Sequence, residues 1–164
     1  LRKKHVARKA IDPVTLLLNA DSAIARINKL EAPKQGRAIA IAIFDISNLR
    51  EITRKVGSTK SDFVLRKIAQ NLQTVTRDND ILGRFGTDQF ILCLHNIEER
   101  SARQFFDRVQ SALANTFEGD TTNDYIVVET QMSIFIGNEK ITGLNDILDD
   151  IAMSIGMESR NDTI

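Results

Sequence analysis

The stretch Arg84-Phe85-Gly86-Thr87-Asp88-Gln89-Phe90 decides the fold of this chain of 164 residues. Residues 80–85 and 89–95, on either side of its centre, have the composition of two strands. Two such runs separated by a few residues that include Gly are typical of a β-hairpin. We therefore predict two antiparallel strands joined by the tight turn Gly86-Thr87-Asp88.

The segment before the hairpin predicts helices on both sides of one buried strand. Residues 38–44 are apolar throughout, as in a strand buried on both faces in the middle of a sheet, and Asp45 follows them. The helices around this strand are predicted from capping residues and helical periodicity. They are a helix starting at Asp12-Pro13 and extending to Leu30, a short helix capped by Ser47 and closed by Gly57, and an amphipathic helix over residues 62–76.

The segment after the hairpin predicts three more elements. They are a helix over residues 98–117, one long strand over residues 125–136 and a last helix over residues 143–157. A hairpin within an alternation of helices and strands excludes a purely parallel sheet. We predict an α/β (α+β) fold in which helices flank a mixed central β-sheet.

The composition is typical of a soluble domain without a bulk charge. Lys and Arg number 22, Asp and Glu also number 22, and this balance argues against a nucleic acid partner. No apolar run approaches the roughly 18–20 residues of a membrane span, and the single Cys93 fits a reducing cytosol. We expect a cytoplasmic domain, free or as the cytosolic part of a membrane-anchored sensor, with no membrane contact by this segment.

The two ends of the chain suggest a piece of a longer protein. The chain starts with a basic run and no initiator Met, and it ends in a polar tail. We interpret residues 1–11 as a helical connector from an upstream region and residues 12–160 as the domain itself.

Two carboxylates are candidates for a metal site. Asp45 ends the buried strand, and Asp88 lies in the hairpin turn, which the sheet can bring beside it. Mg²⁺ prefers one or two protein carboxylates together with phosphate oxygens. Asp is also common at strand ends and turns for structural reasons, so the pair alone does not decide between the two interpretations.

The order and spacing of four segments resemble the GGDEF family, the diguanylate cyclases that join two GTP molecules into cyclic di-GMP. Residues 84–90 resemble the signature hairpin, and residues 12–19 resemble the opening motif DPLTGLxN. Residues 44–65 resemble the segment DxDxFKxxNDxxGHxxGDxxL, and residues 133–137 resemble the late strand SxGxA. The resemblance covers nearly the whole chain and implies the palm-like fold of nucleotide cyclases.

The metal positions that the resemblance implies are only partly kept. Asp45 and Asp88 match the family's metal-binding positions. Gln89 stands where the signature has Glu, and a neutral amide is a poor metal ligand and cannot act as a base. Thr87 replaces the second Gly of the signature, which now reads Gly86-Thr87-Asp88-Gln89-Phe90, and Ser47 replaces the second Asp of DxD.

The nucleotide-binding positions that the resemblance implies have also changed. Thr53 stands where the family reads guanine with Asn, whereas Asp62, at the other guanine-reading position, is kept. Arg50 replaces a phosphate-facing Lys, and Met157 stands where a phosphate-binding Lys belongs. We expect weakened GTP binding and no productive cyclisation, so that no residue is assigned a catalytic role.

A second site is implied by Arg77 and Asp80, which match the RxxD inhibitory site that binds cyclic di-GMP in many GGDEF domains. Arg108 stands where a second arginine often joins that site. An arginine grips a phosphate or a guanine edge with two hydrogen bonds. A solvated arginine at a helix end and a structural aspartate are the alternative interpretation.

The sequence thus predicts a degenerate GGDEF domain of bacterial signalling that is not an active cyclase. We expect it to sense cyclic di-GMP at the RxxD site, or GTP with Mg²⁺ at the vestigial site, and to control a neighbouring EAL phosphodiesterase or sensor domain. The alternatives are a scaffold for homodimerisation or docking that binds no nucleotide, and a residually active diguanylate cyclase.

Overall fold

The protein has a main β-sheet between two layers of helices. The computed structural model describes residues 10–113, 116–118 and 125–161. The helices are α1 (Ala20–Asn28), α2 (Leu49–Val56), α3 (Ser58–Val75), α4 (Glu99–Leu113) and α5 (Leu144–Asn161). The strands are β1 (Ala38–Ile46), β2 (Ile81–Gly86), β3 (Gln89–Ile97), β4 (Thr116–Glu118), β5 (Tyr125–Val127) and β6 (Thr130–Gly137).

The main sheet has the strand order β2-β3-β1-β6. The predicted α+β class and the predicted hairpin of β2 and β3 are confirmed. The prediction of a mixed sheet needs correction, because all three described strand pairings in this sheet are antiparallel. Parallel pairing among the described residues is limited to a bridge between Leu18 and Gly83.

Strand β1 lies between β3 and β6 in the sheet, and both of its faces are buried. Ala40, Ala42 and Phe44 pack toward a core that includes side chains of α2, α3 and α4. Ile39, Ile41 and Ile43 alternate with them and pack with side chains of α1 and α5. A continuous apolar run is what a strand with two buried faces requires, so the predicted position of β1 is confirmed.

The first helix begins at Ala20 and not, as predicted, at Asp12-Pro13. Asp12 Oδ2 accepts hydrogen bonds from the Thr15 backbone N–H at 2.8 Å and from the Thr15 hydroxyl at 2.7 Å, which makes a turn. The side chain of Asn19 then accepts from Ser22 N–H and caps α1. The apolar residues upstream of Ala20, whose spacing suggested a helix, therefore belong to a turn.

Helices α2 and α3 meet at Gly57, which has a φ of 88°. The predicted cap by Ser47 is wrong, because Asn48 occupies the cap position of α2 and the Ser47 hydroxyl donates to the Glu129 carbonyl at 3.2 Å. The following helix begins at Ser58, four residues before the predicted start, because Gly57 turns the chain sharply enough for one residue to end α2 and precede α3.

The predicted long strand over residues 125–136 is interrupted between β5 and β6. The side chain of Asn48 donates to the Val127 carbonyl at 2.7 Å and accepts from the Glu129 N–H at 3.0 Å. These bonds satisfy the backbone where the ladder stops. Strand β5 pairs with β4 in a separate two-stranded sheet.

Two other predicted boundaries also change. The predicted helix over residues 98–117 is too long, since Thr116–Glu118 is a strand and α4 ends at Leu113. The last helix extends beyond its predicted end, to Asn161.

Most of the predicted connector, residues 1–9, lies outside the described residues. Ile11 forms an antiparallel bridge with Leu18, and the Asn19 N–H donates to the Ala10 carbonyl at 2.8 Å. These two connector residues are thus held against the opening turn. None of the helices in the described ranges is long and apolar enough to cross a membrane.

Arg84 joins the hairpin to the opening turn. Its guanidinium donates to both carboxylate oxygens of Asp12, at 3.3 and 3.2 Å, and to the carbonyls of Gly86 and Thr87. Burial favours a raised pKa of Asp12, but the hydrogen bonds from Thr15 and the charge and hydrogen bonds of Arg84 outweigh it and lower this pKa. The ion pair is mostly buried, with 13% and 16% of the two side chains exposed.

We predict that Arg84→Met lowers the free energy of unfolding by about 2–3 kcal/mol at pH 7, since it leaves the partly buried Asp12 carboxylate without its cation. This loss should shrink as the pH falls below 3.8, the ordinary value of an aspartate pKa, because the stabilisation from the lowered pKa of Asp12 is fully present above that pH and is lost as the pH falls through the lowered pKa. Urea unfolding at several pH values measures both effects. Arg103→Met, which breaks an exposed pair with Glu99, is the matched control and should change stability by at most about 0.5 kcal/mol.

Leu16 is a second position with a measurable energetic consequence. It has a φ of 62° and is 62% exposed. It also stands where the motif DPLTGLxN has Gly. A left-handed conformation costs a residue with a Cβ about 1–2 kcal/mol.

Leu16→Gly should therefore raise the free energy of unfolding by about 0.5–1 kcal/mol, after the greater chain entropy of Gly in the unfolded state is subtracted. Leu16→Ala keeps the Cβ and should give no such gain. Equal stabilisation by both variants in chemical unfolding would contradict backbone strain as the cause.

Candidate functional site

The first candidate site lies where β1 ends beside the hairpin turn. Asp45 is paired across the sheet with Gln89 of β3 and with Gln131 of β6. The Ile46 N–H donates to the Asp88 carbonyl at 2.8 Å, which holds the turn against the end of β1. The structure therefore brings Asp45 and Asp88 together, as the sequence predicted.

Asp45 is an aspartate in an unfavourable environment for its charge. Burial is the main cause that raises its pKa to about 6, the negative charge of Asp88 raises it further, and a hydrogen bond from Gln89 partly offsets both. Asp45 Oδ1 is buried and has no hydrogen-bond partner, and the same is true of Gln131 Oε1. A buried acceptor without a donor is costly.

The donors at this site fit a hard divalent cation that takes most of its ligands from water or phosphate. Two carboxylates, Asp45 and Asp88, supply negative charge, and an unpaired oxygen of Asp45 is available. Across the described part of the chain, no group of three or more His, Cys, Asp and Glu side chains is placed to hold a metal. Such a donor set suits Mg²⁺, which binds through one or two carboxylates together with water and phosphate oxygens.

The remaining signature residues have different roles. Phe90 is fully buried in the core and cannot contact a ligand. Thr87 is exposed, and its carbonyl accepts from Arg84 at 2.7 Å. Gly86 lies against Gln89, since a Cβ added at Gly86 would approach Gln89 Oε1 to 3.2 Å.

The predicted guanine side of this site is altered at Thr53. The Thr53 hydroxyl donates to the Leu49 carbonyl at 2.9 Å and lies 2.7 Å from the hydroxyl of the buried Ser61. These contacts join α2 to α3 and occupy the hydroxyl. Asp62 and Arg50 are both exposed, Asp62 on α3 and Arg50 on α2.

The second candidate site is a cavity of about 800 Å³ at the other end of the sheet. Arg77, Asp80 and Arg108 all line it, the first two from the segment between α3 and β2 and the third from α4. The three residues predicted from the RxxD resemblance therefore lie around one space.

Some side chains of the cavity wall already make contacts within the protein. Asp80 Oδ2 accepts from the Arg77 N–H at 2.8 Å. Burial raises the pKa of Asp80, while that hydrogen bond and the charge of Arg77 act against the rise. Arg108 lies over the Phe105 ring, 5.9 Å from its centroid. Asp80 thus has both a structural contact and a place in the cavity wall.

Sequence reasoning did not assign three other residues of this wall, which are Arg37, His95 and Phe105. The presence of Arg37 and His95 follows from strand register, because the pairing of Ala38 with Ile97 brings the residue before β1 beside the end of β3. No local motif carries that information. Phe105 lies on α4. The side chain of Met157, another predicted departure, lies outside the described residues.

Comparison with known proteins assigns the family. The family model described as "Diguanylate cyclase, GGDEF domain" matches residues 9–155. The chain belongs to the GGDEF family. As a relative, the diguanylate cyclase DgcP of Pseudomonas aeruginosa is 29% identical over 133 residues, which cover 78% of this chain and 20% of that protein. The GGDEF domain thus spans about a fifth of the length of that relative.

Solved structures show the same fold. The GGDEF domain of DgcB from Caulobacter crescentus, in complex with c-di-GMP, superposes with a TM-score of 0.76 at 16% identity, over 99% of this chain and 95% of that chain. The diguanylate cyclase SiaD of Pseudomonas aeruginosa, in complex with its activator SiaC, superposes with a TM-score of 0.78 at 20% identity. The match covers 92% of this chain and 58% of that chain. The chain therefore has the fold of these GGDEF domains.

The raised pKa of Asp45 predicts that this residue costs stability. The folded state holds the Asp45 proton up to about pH 6, whereas an ordinary aspartate releases it near 3.8, so stability falls as the pH rises through this interval. Asp45→Asn should therefore raise the free energy of unfolding at pH 7 by about 1 kcal/mol, because solvent screens part of the effect at a partly exposed residue. The gain should disappear below pH 4. Asp107→Asn, at an exposed position of α4, is the control.

Proposed function

We propose that this GGDEF domain is a regulatory module that binds cyclic di-GMP and does not synthesise it. The observation that supports the proposal is the convergence of Arg77, Asp80 and Arg108 on one cavity of about 800 Å³. Cyclic di-GMP offers two phosphates and two guanine bases. Those groups match a wall that combines guanidinium groups, a carboxylate and an aromatic ring.

The charge of the cavity favours an anionic nucleotide. Arg77 and Arg108 are exposed cations on its wall. Arg37 adds a third cation, which forms an exposed salt bridge with Glu98 at 3.9 Å. Guanidinium groups bind phosphate oxygens with paired, charge-assisted hydrogen bonds. Asp80 uses one oxygen on the Arg77 N–H, so its carboxylate retains acceptor capacity for the N–H groups of a guanine edge.

Three features support the proposed loss of cyclase activity. Gln89 gives the site an amide in place of a carboxylate, so it cannot accept a proton as a base. The Thr53 hydroxyl is bonded to Leu49 and Ser61 and offers no amide edge to guanine. Thr87 adds a side chain at the turn, where the family motif has Gly.

Residual GTP binding at Asp45 and Asp88 is the second nucleotide function that we consider. The unpartnered Oδ1 of Asp45 favours it, because Mg²⁺ would supply the charge that this oxygen lacks and would neutralise the phosphates of GTP. Arg50 and Asp62 would then contribute from the exposed surfaces of α2 and α3.

The proposed readout is control of a neighbouring EAL or sensor domain. Nucleotide binding in the cavity would immobilise side chains of α4 and of the segment between α3 and β2, which both contribute to its wall. A scaffold for homodimerisation or docking is the alternative if neither nucleotide binds. Met153 is the one exposed large hydrophobic side chain among the described side chains of α1 and α5, so neither helix presents a broad apolar face there.

Isothermal titration calorimetry with cyclic di-GMP tests the sensor function. The wild-type domain should bind, and Arg77→Ala should weaken binding by about tenfold to a hundredfold, as expected for the loss of charge-assisted hydrogen bonds. Arg100→Ala removes the same charge from an exposed position of α4 that does not line the cavity, and it should bind as the wild type does. Equal weakening by both variants would show that only bulk charge matters.

The proposed lack of synthesis needs its own assay. The wild-type domain incubated with GTP and Mg²⁺ or Mn²⁺ should form no cyclic di-GMP detectable by chromatography. Turnover would establish the residual cyclase alternative. No binding of cyclic di-GMP or GTP at high micromolar concentration would reject the sensor and leave the scaffold.

A further inference from the structure

Two oxygen atoms at the end of the sheet are buried with no hydrogen-bond donor. They are Asp45 Oδ1 and Gln131 Oε1. Asp45 and Gln131 are directly paired across the antiparallel strands β1 and β6. Directly opposed residues on one face of a sheet have Cβ atoms about 4.5–5.5 Å apart, so their side chains are neighbours.

Neighbouring acceptors without a donor are an unstable arrangement in a protein interior. Each unsatisfied buried acceptor is costly, and here the two acceptors belong to directly paired residues. A cation removes both deficits at once, because it accepts electron density from a carboxylate oxygen and an amide oxygen together. Amide and carboxylate oxygens are ordinary ligands of hard divalent cations.

The position of Gln131 is what distinguishes it from the other amide of the site. Gln89 lies on the opposite side of Asp45, on β3, where its side chain acts to lower the pKa of Asp45. Its Oε1 lies toward Gly86. Gln131 approaches from β6 with an oxygen that has no partner.

We propose that Gln131 is an oxygen ligand of a divalent cation held by Asp45 and Asp88. This inference rests on the proposed cation site at those two aspartates and adds a third protein ligand from another strand. Two carboxylates and one neutral amide balance the charge of a divalent ion, and its remaining positions stay open for water or phosphate oxygens. Gln131 is thereby given a role that the signature hairpin does not contain.

Metal binding by the nucleotide-free domain tests the proposal directly. Free Mn²⁺ measured by electron paramagnetic resonance, and Mg²⁺ measured by calorimetry, give dissociation constants for the wild type and two variants. Gln131→Met has a similar length without the oxygen and should weaken binding about tenfold or more. Gln131→Glu adds a carboxylate and should tighten binding about tenfold. Gln70→Met, at an exposed position of α3, is the control and should bind as the wild type does.

Two further measurements separate ligation from structure. Without metal, Gln131→Met should be at least as stable as the wild type in urea unfolding, because it removes an unsatisfied acceptor. In the wild type, the ¹³C signal of the Gln131 side-chain carbonyl should shift on titration with Mg²⁺, with the dissociation constant found by calorimetry.

The outcomes are distinct. Unchanged affinity in both Gln131 variants, or a Gln131 signal that does not move, overturns the proposal. Weakened binding in both variants also overturns it, because an amide that only donates to Asp45 would be lost in either case. A wild-type domain that binds no Mn²⁺ rejects the whole cation site at Asp45 and Asp88, while cyclic di-GMP binding by the cavity of Arg77 would be unaffected.

Discussion

The guanidinium of Arg84 fixes the geometry on which the first candidate site depends. It bonds to the carbonyls of Gly86 and Thr87 within the hairpin and to the carboxylate of Asp12 outside it. Asp12 in turn organises the opening turn through Thr15. Because the turn is held in this way, the carbonyl of Asp88 reaches the N–H of Ile46 and Asp88 lies near Asp45. A planar group with five donors can serve both segments at once, which an ammonium group would do poorly.

The parts of the fold that sequence reasoning predicted correctly are those with a local cause. The apolar run of β1 and the hairpin of β2 and β3 are visible in the sequence, and both are confirmed, although β2 includes Gly86, which was predicted to lie in the turn. The start of α1 was predicted wrongly because the bonds between Asp12 and Thr15 compete with helix formation. The break between β5 and β6 depends on Asn48, which lies about eighty positions away along the chain. No periodicity in residues 125–136 records such a contact.

The candidate sites also divide into residues that a local motif predicts and residues that only strand pairing brings together. Arg77 and Asp80 are close in sequence, so their shared position at one cavity was predictable from a motif. Arg37 and His95 join them only through the pairing of β1 with β3, and the role proposed for Gln131 depends on the pairing of β1 with β6. Strand order is a property of the assembled sheet. The zero net charge likewise hides its distribution, since two acidic groups meet at one end of the sheet while three arginines surround the cavity at the other.

The two proposed sites are separated by the length of β1. Arg37 precedes the strand and Asp45 lies near its end, so at about 3.3 Å per residue they are roughly 25 Å apart. Charges at that separation are screened at physiological ionic strength, where the Debye length is about 8 Å. The strand between them is fully buried from Ile39 to Phe44 and has no room for a local rearrangement. A cation at Asp45 and a nucleotide beside Arg77 are therefore expected to bind independently. Any signal to another domain must then pass through the elements that touch each ligand, which for the cavity are the end of α3 and the exposed face of α4.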